Sequence, residues 1–193
     1  MKVEHLIKNG IINESGGRIT LSKKKVEDKY FSLILEEVPN PIELDLSDHH
    51  LTKQQLFTFL SCSSIQKLKM NFTNCDEEFL VEAFKHFPNL YEVELNSAEI
   101  DDEILARIAI NFSKQLKKLQ LMDNKITDEG LEKMFFNFKQ SFDSLHLSYN
   151  SLTSKSIDVI GRNSSDLRTL HIAKCPIKTK GATSIGRYLK SLT

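Results

Sequence analysis

An eleven-residue pattern of leucine-like residues recurs about every 25 residues along the chain, and this repeat constrains the fold more than any other feature. The segment from Leu116 to Ile126 reads L-x-x-L-x-L-x-x-N-x-I, and the segment from Phe142 to Leu152 reads F-x-x-L-x-L-x-x-N-x-L. The fourth position of the pattern is occupied in successive repeats by Ile19, Leu44, Leu68, Val93, Leu119, Leu145 and Leu170. These residues lie 24 to 26 positions apart, which indicates seven stacked structural modules.

The first half of each repeat is typical of a short strand. Apolar residues at positions four and six alternate with polar neighbours, as in a strand with one buried face. One such unit cannot bury its own apolar face, so we expect the units to stack into a parallel sheet. At position nine, Asn124 and Asn150 can satisfy backbone groups of their own turn and of the neighbouring repeat. The other repeats carry Lys24, His49, Thr73, Ala98 and Cys175 there, so we expect the N-terminal repeats to be less regular.

The second half of each repeat shows helical spacing. Two apolar residues three positions apart recur at a fixed distance beyond position eleven, which places both on one face of a helix. These pairs are Phe31 and Ile34, Leu56 and Phe59, Leu80 and Ala83, Leu105 and Ile108, Leu131 and Met134, Ile157 and Ile160, and Ala182 and Ile185. Thr52, Thr127 and Thr153 precede the expected helices and can cap their first turns. Each repeat is therefore predicted to be a strand followed by an α-helix.

The motif, the period and the helical second half together resemble the leucine-rich-repeat family over roughly residues 16 to 193. The stretch from Asn124 to Leu131, N-K-I-T-D-E-G-L, resembles the ribonuclease-inhibitor-like subtype. In their short length, the repeats also resemble the cysteine-containing repeats of F-box proteins. The resemblance implies an α/β horseshoe-shaped solenoid of about seven repeats, with a parallel β-sheet on the concave face and α-helices on the convex face. Residues 1–15 are expected to form an N-terminal cap over this domain of residues 16–193, because a solenoid exposes core at each end.

Charge and cysteine content narrow the classes of function. Lys and Arg total 26 and Asp and Glu total 26, so the net charge is zero, whereas a general nucleic-acid binder or membrane-surface protein needs excess positive charge. No apolar run approaches the roughly 20 residues that span a bilayer. The three cysteines, Cys62, Cys75 and Cys175, form no CxxC pair, which favours a reducing, cytoplasmic setting. We therefore expect a protein partner, and neither nucleic acid nor membrane.

Motifs that carry catalysis or phosphate binding are missing from the sequence. It contains no GxGxxG, GxxxxGK[ST], GxSxG or HExxH. An open curved sheet also differs from the deep pockets that hold most small molecules. His146 and His171 fall on neighbouring strands, but no Cys or carboxylate on adjacent exposed positions completes a metal site. We therefore predict a non-catalytic protein-binding scaffold without cofactor or metal.

The predicted interaction residues lie on the concave sheet, where positions two, three, five, seven and eight of each repeat are expected to face solvent. Apolar side chains and histidines at such positions are candidates for binding a partner, since aromatic residues and Met are favoured in interfaces. The candidates are Phe72, Tyr91, Met122, His146, Tyr149 and His171, together with the charged pair Lys69 and Glu94.

Charged residues alternate in sign across the predicted strands, and two interpretations remain open. One series at position three runs Glu43, Lys67, Glu92 and Lys118, and one at position five runs Asp45, Lys69 and Glu94. Neighbouring parallel strands lie about 4.8 Å apart, so these residues can pair sideways in a purely structural ladder. Alternatively, they form a charged strip that is complementary to a partner.

Three further hypotheses accompany the scaffold prediction. Some leucine-rich-repeat proteins of this subtype are GTPase-activating proteins, such as the Ran-directed ones. Another hypothesis makes this chain the substrate-recognition part of a ubiquitin-ligase adaptor. The content of Lys, Asn, Ile and Phe with no Trp is common in AT-rich genomes, which suggests a bacterial effector secreted into host cytosol. We also expect a monomer, or a weak dimer that forms through the C-terminal end.

Overall fold

The expected solenoid is confirmed by a computed structural model, which describes residues 2–12, 17–21, 31–48, 51–73 and 77–193. Within these ranges, seven three-residue strands form one parallel sheet in chain order. They are β1 (Arg18–Thr20), β2 (Glu43–Asp45), β3 (Lys67–Lys69), β4 (Glu92–Glu94), β5 (Lys118–Gln120), β6 (Ser144–His146) and β7 (Thr169–His171). The register places the fourth positions of all seven repeats opposite one another, from Ile19 beside Leu44 to Leu145 beside Leu170. The repeat spacing thus sets the strand register.

A helix follows each strand on the other side of the core, and one more precedes β1. The helices are α1 (Lys2–Lys8), α2 (Phe31–Glu37), α3 (Lys53–Thr58), α4 (Glu77–His86), α5 (Asp102–Ala109), α6 (Asp128–Asn137), α7 (Ser154–Asn163) and α8 (Lys178–Tyr188). The predicted caps are present: Thr52 and Gln55 form a capping box, and the Thr127 and Thr153 side chains accept from N–H groups of the first turn. These caps end the strand half of each repeat and start its helical half.

The core is continuous from the first repeat to the last. The apolar helix pairs from Phe31 to Ile160 are buried against the leucines of the sheet. The expectation for the last helix is wrong, since Ala182 is exposed and α8 buries Gly181 and Ser184 instead. A Cβ at Gly181 would collide with the Ile177 side chain, so the helix packs closely at that glycine and its buried face is shifted by one residue.

The N-terminal residues pack on the first repeat. Leu6, Ile11 and Ile12 are buried, and the Ile11 carbonyl accepts a hydrogen bond of 2.7 Å from the Thr20 N–H. These contacts agree with a cap over the first repeat. Residues 13–16 lie outside the described part of the chain, so the boundary after residue 15 stays a prediction.

Position nine performs the predicted structural role where it is Asn. The Asn150 Oδ1 atom accepts from the Ile126 N–H at 3.0 Å, and its Nδ2 group donates to the Leu121 and Leu147 carbonyls at 2.8 and 3.0 Å. In the last repeat the Cys175 thiol donates to the Leu147 carbonyl instead, at 3.3 Å. Lys24 and His49 lie outside the described residues. The asparagine amide thus joins two repeats through backbone groups that would otherwise be buried without partners.

A second set of side-chain bonds joins repeats at the helix starts. The Asp102 carboxylate accepts from both the N–H and the hydroxyl of Thr127, and Asp128 accepts from the same groups of Thr153. Gly130 lies directly beside Asp102, and a Cβ there would collide with that carboxylate. The close approach of α5 and α6 therefore depends on a residue without a side chain.

Replacing Gly130 with alanine is expected to lower the unfolding free energy by about 1–3 kcal/mol, because the new methyl displaces Asp102 from Thr127. Chemical denaturation monitored by circular dichroism measures the change. The control is Gly186→Ala in α8, where nothing lies within 4 Å of the added Cβ. The unfolding free energy of that variant should rise by up to about 1 kcal/mol, because alanine favours the helix more than glycine does. An equal effect of the two substitutions would contradict the predicted contact.

Candidate interaction surface

The charged residues on the N-terminal half of the concave sheet pair with one another. Lys67 Nζ lies 2.6 Å from Glu92 Oε1 and 3.2 Å from Glu94 Oε1. Lys69 Nζ lies 3.5 Å from Glu94 Oε1 and 3.4 Å from Glu43 Oε1. Several of these pairs run diagonally between positions three and five, not straight across as the sequence suggested, because the lysine side chains are long enough to reach either neighbour. The predicted ladder exists, and a role for Lys69 and Glu94 in binding stays a prediction.

The ladder is partly buried, and its charges hold one another in the ionised state. Burial opposes the charged form of Lys67, but hydrogen bonds and attraction from Glu92 and Glu94 outweigh it and raise the pKa of Lys67. Burial likewise opposes the charge of Glu92, yet Lys67 and Lys118 lower its pKa. Such pairs contribute little to stability individually. They leave this half of the face charged but internally balanced.

At positions three and five, the last two strands carry no Asp, Glu, Lys or Arg. Positions three and five of the last two strands are Ser144, Thr169, His146 and His171. The two imidazole rings are stacked, with centroids 4.0 Å apart and planes 5° from parallel. Burial and the neighbouring His171 lower the pKa of His146, while Glu94 and Glu92 oppose this effect. The pair therefore favours the uncharged state of His146.

The stability of the protein is expected to fall in acid partly because of His146. The unfolded chain takes up this proton near pH 6.5, whereas the folded protein does so only at lower pH. The contribution is therefore complete above pH 6.5 and is lost as the pH falls towards the folded pKa. Unfolding free energies measured from pH 8 to pH 5 should decline less steeply in His146→Gln than in the wild type. Identical slopes would show that the stacked pair is not linked to folding.

Position eight of the repeat adopts a left-handed backbone conformation wherever it is described after a strand from β2 onwards. The φ angles are 49° at Asp48, 53° at Phe72, 50° at Ser97, 56° at Asp123, 59° at Tyr149 and 59° at Lys174. This conformation lets the position-eight N–H continue the sheet: Tyr149 donates to the Ala173 carbonyl at 2.8 Å, and Phe72 donates to the Asn96 carbonyl at 2.9 Å. Asn, Asp and Gly tolerate it, whereas bulky residues adopt it at a cost in free energy.

Phe72 and Tyr149 are therefore unusual residues for their positions. Their side chains are 66% and 53% exposed, so burial contributes little to offset the backbone strain. Both project from the end of a strand at the edge of the concave face. Large aromatic rings in this setting are candidates for contact with another molecule.

Position seven was expected to face solvent, and this expectation is wrong for Ser47, Asn96 and Ser148, which are buried. Their side-chain oxygens accept hydrogen bonds from the position-seven N–H of the following repeat, as Asn96 Oδ1 does from Met122 at 2.9 Å and Ser148 Oγ does from Ala173 at 3.0 Å. The recurrence of small polar residues at position seven could have predicted this row of hydrogen bonds from the sequence. Met122 interrupts it, because a thioether is only a weak acceptor.

The six predicted contact residues other than Lys69 and Glu94 fall into one group of four and two outliers. Met122, His146, Tyr149 and His171 lie on or directly after the neighbouring strands β5, β6 and β7. Phe72 lies three strands before Tyr149, roughly 15 Å away at the usual strand spacing. Tyr91 precedes β4, so it lies at the opposite edge of the sheet, where the Lys118 ammonium is 5.7 Å from its ring centroid. We call Met122, His146, Tyr149 and His171 the neutral patch.

Two exposed apolar residues on the convex side were not predicted. Phe136 on α6 is 74% exposed and Ile110 at the end of α5 is 66% exposed. Helical spacing could have identified Phe136, because it lies off the face that Leu131 and Met134 bury. Phe136 borders a shallow depression of about 390 Å³ lined also by Ala106 and Asn137. Phe136 on the convex face can therefore serve as a control for the exposed aromatic residues of the concave face.

The described residues include no group of three or more His, Cys, Asp or Glu side chains placed to hold a metal ion. None of the helices described here combines the length and apolar character needed to cross a membrane.

Comparison with known proteins supports the architecture. A family model described as leucine rich repeat matches residues 113–135 and 163–186. No curated protein matches the chain. Among solved structures, actin-binding site 2 of leiomodin-1 is 25% identical, covers 61% of this chain and 75% of its own, and superposes with a TM-score of 0.50.

Two further structures resemble the chain in fold. The C-terminal domain of tropomodulin from Caenorhabditis elegans is 15% identical, with 72% of this chain and 93% of that chain covered and a TM-score of 0.53. An internalin from Listeria monocytogenes is 18% identical, with 90% of this chain and 52% of that chain covered and a TM-score of 0.54. With seven parallel strands, each followed by a helix, these matches show that the chain folds as a leucine-rich-repeat solenoid of about seven repeats.

Proposed function

We propose that the protein is a non-catalytic scaffold that binds a protein partner through the concave face, with the neutral patch and Phe72 as its main contacts. The observation that carries this proposal is the backbone at Phe72 and Tyr149. Both residues hold a large, exposed ring in a left-handed conformation that costs about 1–3 kcal/mol. Strain of this kind persists where a function retains it, and the rings are of the type that dominates protein interfaces.

The charge distribution supports the same face. The ladder around Lys67 and Glu92 is paired within the sheet and forms a polar border beside the apolar contact residues. The neutral patch beside it combines a polarisable Met, an aromatic ring and two stacked imidazoles. A neutral contact region with a polar rim matches the usual anatomy of a protein interface.

Photo-crosslinking tests the proposal by position. A benzophenone amino acid is introduced at Tyr149, and in a separate variant at Phe136, which is also aromatic and is more exposed but lies on the convex side. We expect a discrete protein adduct from position 149 in native lysate, competed by unlabelled protein, and none of comparable yield from position 136. Adducts from position 136 alone would place the binding surface on the convex helices and refute the proposal.

Actin is the first purified partner to be tested, because the leiomodin-1 structure that resembles this chain at 25% identity is named as an actin-binding site. The wild type, Tyr149→Asn and Phe136→Asn are compared for binding to monomeric and filamentous actin. Concave-face binding predicts weaker binding by Tyr149→Asn and unchanged binding by Phe136→Asn. Absence of binding by the wild type to either form would exclude actin as the partner.

Three narrower hypotheses remain as proposals about the setting. A GTPase-activating role predicts faster GTP hydrolysis by added GTPases, and a ubiquitin-ligase adaptor predicts that the partner is ubiquitinated when the protein is present. A secreted bacterial effector acting in host cytosol is supported by composition alone. A reducing compartment is favoured by the buried Cys62 thiol, whose pKa is raised by burial.

A further inference from the structure

We propose that the Ser148 N–H, which lies beside Met122 and Tyr149 of the neutral patch, donates a hydrogen bond to an uncharged backbone carbonyl of an extended segment of a partner protein. This inference rests on the proposed function and names the chemistry that the patch recognises. Three observations carry it: a gap in a row of hydrogen bonds, exposed apolar side chains at the gap, and the charges beside it.

The N–H groups at position seven are bonded to side chains of the preceding repeat. The Asn71 N–H donates to Ser47 Oγ at 3.1 Å, and the Asn96 N–H donates to Asn71 Oδ1 at 2.8 Å. The row continues to the fifth repeat, where the Met122 N–H donates to Asn96 Oδ1 at 2.9 Å. Each position-seven N–H thus depends on a polar side chain at the same position one repeat earlier.

The row has a gap at Ser148. The residue one repeat earlier is Met122, whose thioether is only a weak acceptor, and in the described part of the chain no atom accepts from the Ser148 N–H. Ser148 is 5% exposed, so its backbone is largely shielded from solvent. A buried N–H without an acceptor costs free energy, and such groups are therefore almost always paired. We expect this donor to bond an acceptor that comes from outside the chain.

The side chains around the gap let such an acceptor approach. Met122 is 38% exposed and Tyr149 is exposed as well, so the gap lies at the border of the surface. The Met122 side chain is unbranched and flexible, and it can move aside at a low cost in free energy. The backbone next to the donor is held in place, because the Tyr149 N–H donates to the Ala173 carbonyl at 2.8 Å. The Ser148 N–H is thus a fixed donor beside a movable apolar side chain.

The charges near the gap favour an uncharged acceptor. Asp123 follows Met122, and its N–H donates to the Ser148 carbonyl at 2.9 Å, so this exposed acidic residue lies directly beside the gap. Its Oδ2 atom accepts from Ser97 Oγ at 2.8 Å, and within the described ranges no ion pair compensates its charge. Lys174 lies two repeats further on, roughly 10 Å away at the usual strand spacing. A partner carboxylate is therefore repelled, whereas a peptide carbonyl is not.

The spacing of the two strained aromatic residues favours an extended segment. Phe72 and Tyr149 occupy the same position three repeats apart, which is roughly 15 Å at the usual strand spacing. An extended chain rises about 3.3 Å per residue, so about five residues reach from one ring to the other. The carbonyls of an extended chain are open to new bonds, whereas those of a helix are bonded internally. Such a segment can contact both rings and place one carbonyl at the Ser148 N–H.

Three small probes that share a phenyl ring test the kind of acceptor. N-acetylphenylalanine N-methylamide offers only uncharged carbonyls, N-acetylphenylalanine carries a carboxylate, and phenethylammonium has no acceptor. Each probe is titrated into the full chain at neutral pH, and the Ser148 amide proton is followed by two-dimensional NMR, because hydrogen bonding moves an amide proton downfield. We expect a saturable downfield shift with the methylamide, a smaller shift with the carboxylate and none with the ammonium compound.

Two substitutions at Met122 separate the gap from the surface around it. Met122→Asn introduces the residue that already accepts from the next repeat at positions 71 and 96, so the row should close. The Ser148 amide should then exchange roughly two- to ten-fold more slowly, the factor that one hydrogen bond contributes, and should no longer respond to the methylamide. Met122→Leu is the matched control: it supplies no acceptor, so fast exchange and the downfield shift should both persist.

The proposal is overturned if the Ser148 amide responds to none of the probes, which would mean that solvent alone bonds this donor. A larger response to the carboxylate than to the methylamide would also overturn it, as would an undiminished response in Met122→Asn. The proposed function is tested separately by crosslinking. An adduct from position 149 without any response at Ser148 would refute this inference and leave the scaffold function standing. A response at Ser148 with adducts from position 136 alone would support the donor site and refute partner binding at the concave face.

Discussion

Replacing Leu119 with alanine is expected to lower the unfolding free energy by about 2–5 kcal/mol. Leu119 is fully buried at the fourth position of the fifth repeat, between Val93 and Leu145 on the neighbouring strands. A solenoid is stabilised by the contacts of each repeat with its two neighbours, so a cavity in a central repeat weakens both interfaces. The substitution removes apolar contact and leaves a void that the surrounding strands cannot close.

Urea denaturation followed by circular dichroism measures this loss. Leu170→Ala is the matched control, because it removes the same side chain at the same position of the seventh repeat, where Leu170 is half-buried and, in the described part of the chain, pairs with β6. We expect the unfolding free energy to fall clearly less in the control than in Leu119→Ala. Equal losses at the two positions would contradict the account of stability through neighbouring repeats.

Asn150→Ala is expected to cost on the order of 3 kcal/mol, although it removes little apolar surface. Asn150 is buried and bonds four backbone groups: the Ile126 N–H and the carbonyls of Leu121, Leu147 and Ser148. The substitution leaves these groups without partners, and each buried orphan carries a desolvation penalty. The sixth repeat and the fifth would both be affected.

The same denaturation experiment tests this prediction, with Cys175→Ala as the control at the equivalent position of the last repeat. The Cys175 thiol makes one weak bond, to the Leu147 carbonyl, so its loss should cost under about 1 kcal/mol. If Asn150→Ala lowered the unfolding free energy no more than Cys175→Ala, the hydrogen bonds of Asn150 between repeats would not contribute to stability as the structure indicates.

Most of the fold could be predicted from the sequence, because the same pattern of apolar residues recurs in seven repeats. The spacing of position four gave the strand register directly, since residues such as Leu44, Leu119 and Leu170 must be equivalent if the units stack. The helical pairs gave the buried face of each helix. Only α8 departs from this pattern, because the close packing at Gly181 depends on a contact with Ile177 that no single repeat specifies.

The candidate site was less predictable. Strand register placed His146 beside His171, but the stacking of the rings depends on side-chain angles. The hydrogen bonds of position seven and the left-handed backbone of position eight arise from the turn that leaves each strand. Alternation of apolar and polar residues extends only to position six and carries no information about φ beyond it. The sequence identified Phe72 and Tyr149 as exposed aromatic residues. Their positive φ angles, which cost free energy, are visible only in the structure.

Tyr149 is proposed to bind a partner although its backbone conformation lowers the stability of the protein. The unfolding free energy of Tyr149→Asn tests it most directly and needs no partner, with Tyr91→Asn as the control because Tyr91 is exposed on the same sheet without a left-handed backbone. We predict that Tyr149→Asn is more stable than the wild type by about 1 kcal/mol, because Asn tolerates this conformation, and that the control gains nothing. A loss of stability in Tyr149→Asn would show that the ring contributes to folding, and would contradict its assignment as a binding residue.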